Sequence, residues 1–131
     1  MNYLLDTNIC IYFLKGRFGL VEKIEKIGFD NLFISEITIA ELKFGAEKSV
    51  YPEKNRLIIN ELADKFKQLP IYSALDIYAK EKARLRKEGN VVDDFDLLIG
   101  ATAIVNEMTL VTNNEKHFEH LQNIKIENWT K

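Results

Sequence analysis

The chain has 131 residues, 47% hydrophobic and 29% charged, enough for one domain with its own core and for no linker or repeat. Eighteen basic residues against 20 acidic ones give a net charge of −2, which excludes nucleic-acid binding by bulk charge and leaves only a local basic patch or a bound metal. No apolar run approaches the roughly 20 residues needed to span a bilayer, and one cysteine, Cys10, excludes an internal disulfide.

Asn2–Asp6 reads as a short apolar strand, with Thr7 or Asn8 capping a helix through about Leu14. Leu20–Ile27 is a second helix, stopped by Gly28. Leu32–Ser35 is a buried strand, followed by a helix from about Glu36 to Lys48. Pro52 opens a helix that continues through Phe66. Pro70–Tyr72 is predicted as a brief strand, and Ser73–Glu88 as a long helix ending at Gly89-Asn90. Asp94–Asn106 is a helix apolar on nearly every side, and Met108–Thr112 is a strand rich in β-branched residues. A turn of helix near Lys116–Leu121 leads to a last strand, Ile124–Glu127. This alternation predicts an α/β fold, a parallel sheet between helical layers, as a single domain over residues 1–131. In such sheets, sites form beyond the carboxyl ends of the strands. Met1–Asp6 lacks the basic, apolar and small-residue pattern of a secretion signal, so a cytoplasmic location is expected.

Three carboxylates stand where burial makes them costly. On the helix Glu36–Lys48, Glu36, Lys43 and Glu47 share one stripe, and Glu41 falls opposite, among Ile37, Thr38, Phe44 and Gly45. An inward salt bridge or a capped backbone group would explain Glu41 alone. Asp96 opens the apolar run Leu97-Leu98-Ile99-Gly100-Ala101, in a first turn whose dipole favours negative charge. Capping accounts for one of Asp93, Asp94 and Asp96, and leaves a surplus. Asp6 ends the first strand, where capping would again suffice. Together, three carboxylates that each follow a strand repel one another unless a cation joins them. An all-oxygen donor set suits Mg²⁺ or Mn²⁺, whereas zinc recruits Cys or His. His117 and His120 read as surface or packing residues.

The same residues carry a family resemblance. Leu4-Leu5-Asp6-Thr7-Asn8 resembles the opening motif of the PIN-domain VapC toxins. Ile34–Leu42 followed by Gly45 is similar to their second motif, with Glu41 as its glutamate. Asp96–Ala103 is similar to the third, with Gly100 where alanine is commoner. Leu110–Asn114, then His117-Phe118 and Asn128-Trp129, resembles the last motif and the ending. The resemblance implies a PIN-like α/β/α sandwich and a metal-dependent RNA endonuclease. Its catalytic and metal-binding carboxylates would be Asp6, Glu41 and Asp96, with Mg²⁺ or Mn²⁺ bound. It further implies a homodimer silenced by a VapB-like antitoxin, with DNA contacted only through that partner. Many PIN domains have a further aspartate where this chain has Asn114, and Asp94 could restore the missing charge. Thr7, Thr112 and Asn114 are the expected orienting groups, although turn and capping chemistry would also explain them.

RNA must also be held. Lys80, Arg84 and Lys87 form one stripe of the long helix, either an RNA-binding face or a solvated face of helix-stabilising pairs. Tyr12, Phe13, Phe44 and Tyr51 are either core residues or the lining of an antitoxin groove. Two rival readings compete with this one. An aspartyl-phosphate phosphatase or receiver domain fits poorly, because Asn8 stands where the phosphatase pattern wants aspartate and Asp6 has no acidic strand partner. A catalytically weak PIN-like binding module for RNA or protein is the other, kept open by Asn114.

Overall fold

Five short strands are needed to bury what the helices cannot: β1 (Tyr3–Leu5), β2 (Leu32–Ser35), β3 (Lys67–Leu69), β4 (Thr109–Val111) and β5 (Ile126–Glu127). In the computed structural model, which describes all of Met1–Lys131, they pair in parallel in the order β3-β2-β1-β4-β5. The fold is thus the expected three-layer α/β sandwich. Register is set by Tyr3 opposite Leu32 on one side and Thr109 on the other. Leu4 and Leu5 of the central strand are both fully buried, but into different cores, as the two-residue period of a strand requires.

The seven helices are α1 (Thr7–Leu14), α2 (Leu20–Ile27), α3 (Glu36–Glu47), α4 (Pro52–Lys65), α5 (Leu75–Lys87), α6 (Asp94–Val105) and α7 (Glu115–Phe118). One core joins Leu5, Ile34 and Val111 to residues of α1, α2 and α4; the other joins Leu4 and Leu110 to α5, α6 and Phe118. No helix is long and apolar enough to cross a membrane.

Two expectations are corrected. The third strand is Lys67–Leu69 and not Pro70–Tyr72; Tyr72–Ala74 forms a 3₁₀ turn leading into α5. As an edge strand with exposed Lys67 and Gln68, β3 has no hydrophobic signature, and Pro70 cannot donate to a ladder. Neither Thr7 nor Asn8 caps α1; the cap is Asp6, as the capping alternative for that residue has it.

Since β1 lies between β2 and β4, the chain reverses direction of growth across the sheet at the β1–β4 pair. That crevice is where open α/β sheets place their ligands.

Candidate active site

Asp6 leaves β1 with its backbone N–H donating to Val111 O at 2.9 Å, so it is the last residue held by β4 and the first to cap α1. Its Oδ1 accepts from the Thr7 backbone N–H at 2.8 Å, and its Oδ2 from the Thr112 hydroxyl at 2.8 Å. Thr112 is fully buried just past β4 and also accepts from the Asn114 backbone N–H at 3.0 Å. The Asp6–Thr112 bond therefore spans the β1–β4 crevice. Burial raises the proton affinity of Asp6, the bonds from Thr112 and Thr7 oppose this, and the charge of Asp96 adds to the rise.

Glu41 reaches the same place from α3, which Ser35 starts by accepting from the Ile37 N–H at 3.1 Å. The Thr7 hydroxyl donates to Glu41 Oε1 at 2.7 Å and lies 3.1 Å from the Thr38 hydroxyl. Glu41 is half-buried. Its proton affinity is raised by burial and by the charges of Asp6 and Asp93, against the Thr7 bond. Asp96, in the first turn of α6, has its Oδ2 3.0 Å from His117 Nδ1. Burial is again the largest cause of its raised pKa, with Asp93 and Glu41 adding to the rise and His117 opposing it.

The fold thus brings Asp6, Glu41 and Asp96 into one electrostatic cluster, with Thr7 and Thr112 as the hydroxyls that orient the first two. Asn114 contributes its backbone N–H to Thr112. Asp94 does not supply the missing charge: it is turned to the Lys82 ammonium at 2.8 Å and the Tyr78 hydroxyl at 2.9 Å. The fourth carboxylate facing the cluster is Asp93, which caps α6 by accepting from the Phe95 N–H at 3.1 Å. Sequence reasoning names all three aspartates but has no means of telling which way a loop-borne side chain turns. It also sets aside His117, which the α7 turn carries back to Asp96; a histidine one place before the motif phenylalanine was the available signal.

The basic stripe is not a free face. Arg84 makes paired bonds to Glu81 at 2.8 and 2.9 Å, a bond to Glu88 at 2.6 Å and one to the His120 carbonyl at 2.7 Å. Lys80 and Lys87 are exposed beside it. Among the aromatic residues, Phe13 packs edge-on against Phe66, while Phe44 and Tyr51 are 65% and 69% exposed. The placement of Phe44 on the inward face with Glu41 is therefore overturned: Glu41 lies at the margin of α3's buried stripe, and Phe44 falls beyond it. A cavity of about 490 Å³ between α1, α3 and α4 is lined by Ile11, Leu14, Leu42, Ile58 and Ile59, with Glu41 at its wall.

Comparison with known proteins agrees with this fold. The family model described as PIN domain matches residues 3–123. The chain is 35% identical over 133 residues to ribonuclease VapC2 of Haemophilus influenzae, covering 98% of both chains. It is 31% identical over 131 residues to the tRNA(fMet)-specific endonuclease VapC of Shigella flexneri, covering 99% of both. Among solved structures, it is similar to the VapBC2 complex of Rickettsia felis bound to a promoter DNA fragment, with a TM-score of 0.90 and 32% identity over 98% of this chain and 99% of that one. The VapBC-1 structure from nontypeable H. influenzae gives a TM-score of 0.89 and 32% identity over the whole of both chains. Motif order, sheet order and full-length similarity together identify the chain as a member of the PIN-domain family, within its VapC ribonucleases.

Proposed function

We propose that this chain, as one PIN domain over residues 1–131, is a divalent-metal-dependent endoribonuclease and the toxin of a VapBC-type pair, with Asp6, Glu41 and Asp96 as its catalytic carboxylates. The observation that carries the reading is the carboxylate cluster at the β1–β4 crevice, with Asp6 buried and Glu41 and Asp96 half-buried, held by Thr7 and Thr112 and destabilised by its own charges.

The donor set fits a hard cation. It is all oxygen, its members raise one another's proton affinity, and a positive charge among them would relieve that repulsion. As the side chains stand, no three acidic or histidine groups converge closely enough to chelate one ion. Glu41 is turned to Thr7 and Asp96 to His117, so binding requires Asp96 to swing from His117 or share it. Asp6, Asp96 and Glu41 would hold Mg²⁺ or Mn²⁺, which when bound supplies positive charge against the phosphate and acidifies the attacking water.

The chain's own residues do the rest. Thr112 and Thr7 fix the Asp6 carboxylate from both sides, and these bonds favour its ionised form against the larger opposing effect of burial. Thr7 fixes Oε1 of Glu41 and leaves Oε2 available to a ligand. Glu41 and Asp96, both with raised proton affinity, are the groups able to take a proton from water during hydrolysis of the phosphodiester. Asp93 supplies negative charge beside them in a chain that has Asn114 where many relatives have aspartate.

The partner reading is a VapB-like antitoxin seated on the apolar cavity beside Glu41, a toxin homodimer, and DNA contact through the antitoxin alone. The similar VapBC structures, one of them bound to a promoter DNA fragment, support the antitoxin partner. Purified protein given total RNA with Mn²⁺, with EDTA, and as Asp96→Asn tests the function. Discrete fragments that need the metal and vanish in the variant are expected. Folded, antitoxin-free protein that cleaves nothing would favour the binding-module reading.

A further inference from the structure

A second cavity, of about 420 Å³, opens on the other side of Asp96. One wall is the α5–α6 loop, with Asn90 and Val91; the other is α7 and the turn after it, with Lys116, His117 and His120. Asp93 and Asp96 line it too, so it is continuous with the carboxylate cluster.

The basic wall is built and braced. Arg84 bonds the His120 carbonyl, and Glu81 accepts from the Gln122 backbone N–H at 2.7 Å, so the Arg84–Glu81 pair straps this turn to α5. Leu121 enters the space beside Gly100, where a Cβ would collide with Leu121 Cδ1. Gly100 lies one helical turn beyond Asp96 on α6, so the missing side chain lets the turn sit close against the helix that bears the site. His117 completes the attachment through Asp96.

A polar cavity with an ammonium and amide and imidazole N–H donors, next to carboxylates, matches the chain of phosphates on either side of a cleaved bond. With a net charge of −2, RNA binding rests on a bound metal or on local donors such as these. We propose that this cavity is the RNA subsite for the nucleotide flanking the scissile bond, with Lys116, His120 and Asn90 contacting its phosphate and sugar. The proposal rests on the endoribonuclease reading.

The test uses a fluorescein-labelled single-stranded RNA of mixed sequence, bound to the full chain in EDTA so that binding is read without cleavage. Lys116→Ala/His120→Ala is expected to weaken binding on the order of tenfold, and losing the Lys116 contact to lower the salt slope by about 0.7. Both residues are exposed, and unchanged circular dichroism confirms the fold. Affinity and slope equal to wild type would overturn the subsite, as would a loss seen only in Lys80→Ala/Lys87→Ala. Wild-type cleavage of the same RNA in Mn²⁺ is run in parallel. Its failure would refute the endoribonuclease reading, whereas cleavage with unchanged binding in the variant refutes the subsite alone.

Discussion

Thr112→Val removes a single hydroxyl while nearly keeping shape, and its cost can be worked from the structure. That hydroxyl is fully buried, donates to Asp6 Oδ2 at 2.8 Å and accepts from the Asn114 N–H at 3.0 Å. A hydrogen bond to a charged group contributes about 1.5–3 kcal/mol, and the orphaned N–H is half-exposed and adds little, so the loss is about 2–3 kcal/mol. For 131 residues the unfolding entropy is about 0.28 kcal/mol/K, which makes the drop in Tm about 7–11 °C. The bond favours the ionised carboxylate, so its removal raises the Asp6 pKa further above 3.8. The native variant then holds its proton to higher pH than wild type, and its stability falls more steeply as pH rises through that range. The deficit should therefore be larger at pH 8 than at pH 4. Thermal unfolding in EDTA, followed by circular dichroism at both pH values, measures this, with Thr112→Ser as the variant that keeps the hydroxyl. A Tm within about 1 °C of wild type, or a serine variant as unstable as valine, would refute the role given to this bond.

Because Asp6, Glu41 and Asp96 all have raised pKa values, metal-free protein should lose stability as pH climbs from the ordinary carboxylate range through those raised values; urea titrations in EDTA from pH 4 to 8 check the slope, and a flat profile would contradict it. Asp6→Asn should abolish RNA cleavage yet lower the metal-free Tm at pH 8 less than Thr112→Val does, since it removes the buried charge itself. Adding Mn²⁺ should raise the Tm of wild type and leave that of Asp6→Asn nearly unchanged, and equal shifts in both would place the ion elsewhere. Gly100→Ala gains about 1 kcal/mol of helix propensity but overpacks against Leu121, at a cost of about 1–3 kcal/mol; in a Leu121→Ala background the same change should become stabilising, and additive double-mutant behaviour would show that the two do not meet. Burial pushes the Cys10 thiol far up, so a thiol reagent should label it only on unfolding, and rapid labelling of native protein would refute its burial.

The helices and central strands are legible because each is either apolar throughout or apolar on one face, and apart from the short α7 their bounds agree to within a residue or two. The three carboxylates were legible for the converse reason, as charges set among residues that pack. What escaped the sequence was direction. Asp93 and Asp94 are adjacent and chemically alike, yet one faces the cluster and the other pairs with Lys82, a choice made by α5 lying alongside. Arg84 makes the helix-stabilising pairs readable on the stripe, with Glu81 and Glu88, but its bond to the His120 carbonyl, 36 residues away, leaves no trace in the local sequence. The edge strand β3 escaped because an exposed edge needs no apolar pattern. Phe44 misled because a helix face inferred at 100° per residue has a soft margin, and Glu41 sits on it.

The bond between Thr112 and Asp6 joins residues 106 positions apart, and it closes the central crevice. β1 is the first strand to be synthesised, yet its second neighbour, β4, is almost the last. At about 5–20 residues per second, a ribosome needs about 5–20 s to make the residues between them. Throughout that interval Asp6 has no Thr112, α6 has no α7 against it, and Asp96 has no His117. The proposed carboxylate site is thus completed only near the end of synthesis, because a chain still short of Thr112 and His117 lacks the partners that hold Asp6 and Asp96.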